Sequence, residues 1–166
     1  MLICPGDSIT ERRPWHAFGP VLNLGRGGDT CALLKARYAI VLDYAPMPVH
    51  LLIGTNNALD NPLTPALDDI MTMANWSRSA WSPVILCKIP PREFNVADFN
   101  DALVARAATE GFDTPVDYWS TMMVSGNMNF TLFNSDYTHP NASGWPVMDK
   151  ELFAELDARE IWRPIG

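Results

Sequence analysis

Short apolar runs alternate with amphipathic stretches along the chain, and that alternation predicts most of its elements. Met1 to Pro5, Val21 to Leu24, Val49-His50-Leu51-Leu52-Ile53 and Val84-Ile85-Leu86-Cys87-Lys88-Ile89 read as strands, with Pro115-Val116-Asp117-Tyr118 as a weaker fifth. Continuous apolar runs of this length suit strands covered on both faces, as in parallel sheets. Between them the period changes to that of a helix. Leu34, Tyr38, Val41 and Leu42 share one face of a helix expected from about Thr30. Thr64-Pro65 reads as a start, Thr as cap and Pro at the first helical position, before the stripe Leu67, Ile70, Met71 and Ala74. Phe99, Leu103 and Ala107 form another stripe that ends at Gly111, where a C-cap glycine belongs. Trp145, Met148, Leu152 and Leu156 mark a last helix. Strand–helix alternation needs crossover connections, which predicts a three-layer α/β/α sandwich around a mainly parallel, five-stranded sheet.

In such a sheet, functional residues gather beyond the carboxyl ends of the strands. Gly6-Asp7-Ser8 follows the first strand, Gly25 to Thr30 the second, and Gly54-Thr55-Asn56-Asn57 the third. Asp136-Tyr137-Thr138-His139 precedes the last helix, so all four segments are expected at one rim.

Composition narrows the class. At 166 residues and 18.5 kDa the chain suits one domain spanning 1–166, and 48% hydrophobic residues suffice for a core. The net charge of −7 lacks the cationic footprint that holds phosphate backbones, so nucleic acid is not an expected partner. No apolar stretch approaches the roughly 20 residues that span a bilayer. No basic stretch precedes the strand-like Leu2-Ile3-Cys4, so no secretory signal is visible and the sequence leans towards a cytoplasmic protein. Cys4, Cys31 and Cys87 are three, far apart and without a C-x-x-C, and are expected as plain core thiols rather than a disulfide framework or zinc site.

A serine becomes a nucleophile at neutral pH only beside a base. Ser8 sits on a turn at a strand end, although a turn or N-cap serine is its plain alternative. Of the three histidines, His50 lies in an apolar run and reads as a core or edge residue, while His16 has no carboxylate at a useful spacing. His139 follows Asp136 by three residues, so the carboxylate can fold back on Nδ1 and leave Nε2 for a serine. The plain alternative there is an Asp-rich helix start, with Asn141 or Ser143 as cap. Gly28 can bring a backbone N–H close to a reacting oxygen, Asn56 can offer a side-chain amide, and the Ser8 N–H makes a third donor. The glycine run is neither G-x-G-x-x-G nor G-x-x-x-x-G-K-S/T, so a nucleotide cradle is a weak reading. A metal-dependent hydrolase using Asp7, Asp136 and His139 lacks the usual paired histidines.

Taken in order, Gly6-Asp7-Ser8-Ile9-Thr10, Asn23 to Thr30, Gly54-Thr55-Asn56-Asn57 and Asp136 to Asn141 resemble the blocks of the SGNH hydrolases, the GDSL esterases and lipases, nearest their carbohydrate-esterase branch. The resemblance implies a flavodoxin-like fold and a triad of Ser8, His139 and Asp136. It also implies an oxyanion hole from Ser8, Gly28 and Asn56, with no metal or organic cofactor. The implied partner is a small ester or acylated carbohydrate, cleaved through an acyl-enzyme. A thioesterase or lysophospholipase-like activity, or a non-catalytic carbohydrate-binding module, are the alternatives.

Departures from the family pattern carry expectations of their own. Asn57 stands where the family usually has aspartate, which predicts altered local support rather than lost activity. The stretch from Ser8 to Asn23 is too short for a full first helix, and Arg12, Arg13 and Trp15 are expected as one wall of the cleft. Short loops predict an open, shallow site for small acyl groups. Trp15, Trp119, Phe130 and Trp145 are candidate faces for a sugar, with core packing the plainer reading for Trp145, and Arg92 either flanks the site or is a plain solvated loop residue.

Overall fold

The structure, a computed structural model, describes residues 1–60, 62–93 and 96–161. Along the chain it runs β1 (Leu2–Gly6), α1 (Ser8–Arg12), β2 (Val21–Gly25), α2 (Cys31–Ala36), α3 (Ala39–Leu42), β3 (Val49–Leu51), α4 (Thr64–Ser79) and β4 (Val84–Leu86). It continues with α5 (Ala97–Thr109), α6 (Tyr118–Thr121), a small hairpin of β5 (Met123–Val124) and β6 (Asn127–Met128), and α7 (Gly144–Ala158). The central sheet is parallel with order β2-β1-β3-β4. That is the first part of the flavodoxin-like order.

Every residue of β1 and β3 is buried. Since neighbouring strand residues face opposite ways, both faces of the sheet are covered. Helices α2, α4 and α5 pack side by side, while α7 packs with α6 and stacks Phe153 on Phe18 at 4.3 Å between ring centroids.

The sheet has four strands, not five. The expected fifth survives as one parallel bridge, Cys87 to Val116, with the Val116 N–H donating to Leu86 and its carbonyl accepting from Lys88. Its neighbours are spent elsewhere. Pro115 has no N–H to give, the Thr114 carbonyl accepts from Arg159, and Asp117 caps α6 by accepting from the Ser120 N–H.

The helix expected from Thr30 begins there, with the Thr30 hydroxyl accepting from the Leu33 N–H, but it breaks into α2 and α3. Helix α4 starts one residue earlier than Thr64-Pro65 suggests: Leu63 is the cap and offers no side-chain acceptor. The stripes of α4, α5 and α7 are buried as their periods require, save Trp145, which is half-buried.

Helix α1 lasts barely one turn, because Arg13 precedes Pro14 and turns to extended backbone (φ −64°, ψ 131°). Gly25 lets it lie close to β2, since a side chain there would fall 2.3 Å from the Glu11 nitrogen. The Arg13 side chain then goes inward and is fully buried. It donates to Asp149 on α7 through Nε (3.1 Å) and Nη2 (2.7 Å), and through Nη1 to the Tyr118 hydroxyl (3.2 Å). Its guanidinium lies 4.4 Å from the Trp15 ring centroid. Tyr118 also meets His50 Nε2 at 2.9 Å, and burial, with Arg13 nearby, pushes His50 down so that it stays neutral. One buried cation thus joins the end of α1 to α6 and α7.

Replacing Asp149 by Ala strands that cation, and the expected cost is about 3–5 kcal/mol. Urea unfolding measures it, and a loss below about 1 kcal/mol would show that Arg13 does not depend on this partner.

Candidate active site

The parallel strands deliver three loops to one rim. Ser8 opens α1, and Asp7 caps it, accepting from the Ile9 N–H (3.0 Å) with Oδ1 and from the Thr55 N–H (3.3 Å) with Oδ2. Asp7 is therefore a fully buried tie between the serine turn and the loop after β3. Burial pushes its carboxyl up, and the bonds from Ile9 and Thr55, with Arg92 nearby, offset that only in part.

The fourth loop comes from the far end of the chain. His139 Nε2 lies 2.8 Å from Ser8 Oγ, and His139 Nδ1 lies 2.7 Å from Asp136 Oδ2. Asp136 Oδ1 accepts from the Thr138 and His139 N–H groups, both at 3.0 Å, which folds the loop on itself. Asn134 holds the loop from below, its N–H and Nδ2 both donating to the His139 carbonyl. Asn141, one of the two expected caps, accepts from the Ser143 N–H at 2.8 Å and the Gly144 N–H at 3.1 Å at the start of α7.

Nδ1 has a second neighbour. Arg12 Nη1 lies 3.0 Å from it and 3.8 Å from Asp136 Oδ2. A ring nitrogen serves one partner at a time, as donor or as acceptor. Donation to the carboxylate leaves Nε2 as the acceptor that Ser8 needs, while acceptance from Arg12 would require the opposite tautomer.

Across the serine, Gly28 adopts φ +81°, the left-handed region that suits glycine, and a side chain there would meet nothing within 4 Å. Among the described residues, neither the Gly28 nor the Ser8 N–H has a protein acceptor. Asn56 Nδ2 donates to the Asp29 carbonyl at 2.8 Å, which uses one of its two hydrogens. Asp29 is buried against Arg37, which also donates to the Leu24 carbonyl at 2.9 Å, so the glycine turn is held from behind. Asn57 accepts from the Cys31 N–H at 2.8 Å at the head of α2, so the amide oxygen still provides local support where the family has a carboxylate.

Two expectations change. Arg13 and Trp15 belong to the interior and only Arg12 reaches the cleft, because the chain turns to extended backbone at Arg13-Pro14 and enters the short helical turn Trp15–Phe18, where Trp15 and Phe18 are buried. Trp15 is thereby unavailable to a ligand, and Trp145 is half-buried, whereas Trp119 and Phe130 line a cavity of about 470 Å³.

Of the two readings of Arg92, the one in which it flanks the site matches its contacts. Arg92 is half-buried, with Nη1 donating to the Thr55 carbonyl (2.7 Å) and Nη2 to Thr138 Oγ1 (3.1 Å), so it bridges the β3 loop and the histidine loop. Its signal was its position: Pro90-Pro91-Arg92 lies beyond the carboxyl end of the fourth strand, where the rim rule already pointed. Among the described residues no group of three His, Cys, Asp or Glu side chains is arranged to hold a metal ion.

A serine hydroxyl, an imidazole and a carboxylate stand in line at the rim of a parallel α/β sheet, an arrangement of the kind that serine hydrolases use. Residues 4–145 match the model of the GDSL-like lipase/acylhydrolase family, and the chain belongs to that family of lipase- and esterase-type enzymes. Solved structures agree in fold. A GDSL-like lipase from Bacteroides thetaiotaomicron superposes with a TM-score of 0.83 at 22% identity, over 95% of this chain and 88% of the other. A lipase/acylhydrolase from Enterococcus faecalis gives 0.78 at 18% identity, over 95% and 96%. A catalytic mutant of an acetylxylan esterase from Geobacillus stearothermophilus gives 0.73 at 18%, over 93% of each chain. No curated protein sequence matches the chain.

Burial works against the Asp136 carboxylate, but bonds from the His139 amide and imidazole and the Thr138 amide outweigh it and hold the carboxyl down to about 2. Asp136 should therefore stay ionised throughout the range of ordinary assays. Its folded value lies below the roughly 3.9 of an unfolded Asp, so its bonds stabilise the fold above that pH and lose their effect as pH falls towards 2. A carboxyl-carbon NMR titration, assigned with Asp136→Asn, should give a midpoint near 2. A midpoint near 4 would mean the loop does not hold the carboxylate in solution.

Proposed function

We propose that this chain, acting as one domain, is a serine esterase that hydrolyses short acyl esters, acetyl groups on carbohydrates first among them. The observation that carries the reading is the relay of Ser8 Oγ to His139 Nε2 at 2.8 Å and His139 Nδ1 to Asp136 Oδ2 at 2.7 Å. In the first step Ser8 Oγ attacks the ester carbonyl carbon while His139 Nε2 takes its proton. The carbonyl oxygen becomes an oxyanion, received by the N–H groups of Ser8 and Gly28 and the side-chain amide of Asn56. The C–O bond to the alcohol then breaks, and His139 returns the proton to the departing oxygen. In the second step His139 deprotonates a water that attacks the acyl-Ser8 carbonyl, releasing the acid and restoring the serine.

Asp136 keeps the imidazole in the tautomer that accepts from Ser8 and offsets the charge of the imidazolium. Arg92 touches neither reacting atom. Its part is positioning, because one guanidinium spans the loops that carry Asn56 and His139. The preference for a short acyl group rests on the exposed glycine turn from Arg26 to Gly28, which offers no apolar trough on the oxyanion side.

Ser8→Ala should lower kcat by roughly a millionfold and Asp136→Asn by roughly 10⁴-fold, with circular dichroism unchanged. Among 4-nitrophenyl esters, acetate should be cleaved fastest. Full activity of Ser8→Ala would refute the nucleophile, and rates that climb steadily towards long acyl chains would refute the acetyl preference while leaving the esterase intact.

A further inference from the structure

Beside the histidine loop lies the cavity of about 470 Å³ noted above, within the roughly 300–1,000 Å³ typical of small-molecule sites. Among the described residues its walls come from Pro91 to Glu93 after β4, from Val96 and Ala97 at the start of α5, and from the β5–β6 hairpin with its flanking aromatics. Two contacts couple it to the reacting groups. Arg92, part of its wall, donates to Thr138, the neighbour of His139, as well as to the Thr55 carbonyl, and Phe130 meets Tyr137 edge-on at 5.2 Å between ring centroids, which sets the aromatic wall on the histidine-loop side. We propose that this cavity holds the alcohol moiety of the ester, and that the moiety it fits is a neutral, polyhydroxylated ring. The proposal rests on the esterase reading of Ser8 and His139.

The side of the site decides which half of the ester goes there. The carbonyl oxygen must face Gly28 and Asn56, whereas the departing oxygen must come within reach of the proton on His139 Nε2 as its bond to carbon breaks. The alcohol therefore leaves past the histidine loop, and the cavity is built against that loop. The acyl group points away from it, towards the exposed glycine turn.

The lining decides the chemistry. Trp119 and Phe130 present aromatic faces, backed by Met123 and Met128, while Glu93 and Asn127 bring acceptors and an amide to the exposed edge. A sugar ring is two-faced in the same way, with C–H groups to lie on an aromatic surface and hydroxyls to bond a carboxylate or amide. An alkyl chain would desolvate Glu93 and Asn127 without replacing their hydrogen bonds. The Glu93 carboxylate at the cavity's exposed edge also disfavours an anionic ring, and Arg92 in the same wall already directs Nη1 and Nη2 to Thr55 and Thr138.

Two variants of the full chain, Trp119→Ala and Phe130→Ala, test this against methyl β-D-glucopyranoside tetraacetate, ethyl acetate and ethyl hexanoate. The expected result is a drop of about 5- to 10-fold in kcat/KM for the tetraacetate relative to ethyl acetate. Phe130 is 51% exposed, so its variant remains informative even where Trp119→Ala fails to fold. A change in the hexanoate-to-acetate ratio with the glycoside preference intact would overturn the proposal in favour of an acyl pocket, and no change in either ratio would remove the cavity from the site. Binding of methyl β-D-glucopyranoside to the Ser8→Ala protein, read by tryptophan fluorescence, separates this proposal from the esterase reading. Saturable binding lost in Ser8→Ala/Phe130→Ala supports the cavity even if no ester is cleaved, and absence of binding at molar sugar overturns it.

Discussion

The hydrogen bond between Ser8 Oγ and His139 Nε2 joins residues 131 apart in sequence, and the rest of the fold acts as its clamp. Neither partner can find the other locally. Ser8 stands at the end of a central strand, and His139 on a loop that no strand supports, so their meeting depends on where α7 docks. The Arg13–Asp149 pair fixes that docking from inside, running from the last residues of the serine turn to the second turn of α7. Arg92 fixes it from the rim, and Asn134 with Asn141 stiffens the loop between. Asp7 completes the clamp on the other side by tying the serine turn to the β3 loop.

The charges tell a related story. The chain is acidic in sum, yet the cations Arg12, Arg13, Arg37 and Arg92 all lie around the rim loops or just beneath them, each engaged by a carboxylate, carbonyl or ring. Net charge describes the field felt far from the protein, not the field in a site. The inference that an acidic chain avoids anions therefore speaks to approach. Recognition depends on what the rim arginines still present once their partners are counted, and most of their donors already hold loops.

The layered fold and the meeting of the four polar segments were legible because both follow from local rules: buried apolar runs of strand length, helical periodicity, and the crowding of parallel strand ends. The contact of Asp136 with His139 was legible for the same reason, since the two need only a three-residue turn. What escaped were outcomes of competition. Val116 has strand character, but Pro115 and the capping duty of Asp117 leave it one bridge. Tyr38 is placed for a continuous helix, yet the chain breaks before Ala39. Arg13 and Trp15 looked like cleft residues because polarity and aromaticity carry no direction, and only the turn at Pro14 shows that they point inward. The cavity escaped because its walls come from separate segments, none of which is a continuous apolar loop.

The central claim is that Ser8 is a nucleophile set between His139 and a three-donor hole. A crystal structure of the protein after reaction with an organophosphonate addresses it most directly, because phosphorus takes the tetrahedral geometry of the acyl-transfer intermediate. The account predicts a single adduct on Ser8 Oγ, with the phosphoryl oxygen within about 3 Å of the Ser8 N, the Gly28 N and Asn56 Nδ2. An unmodified Ser8, or an adduct whose phosphoryl oxygen points away from Gly28 and Asn56, would contradict it.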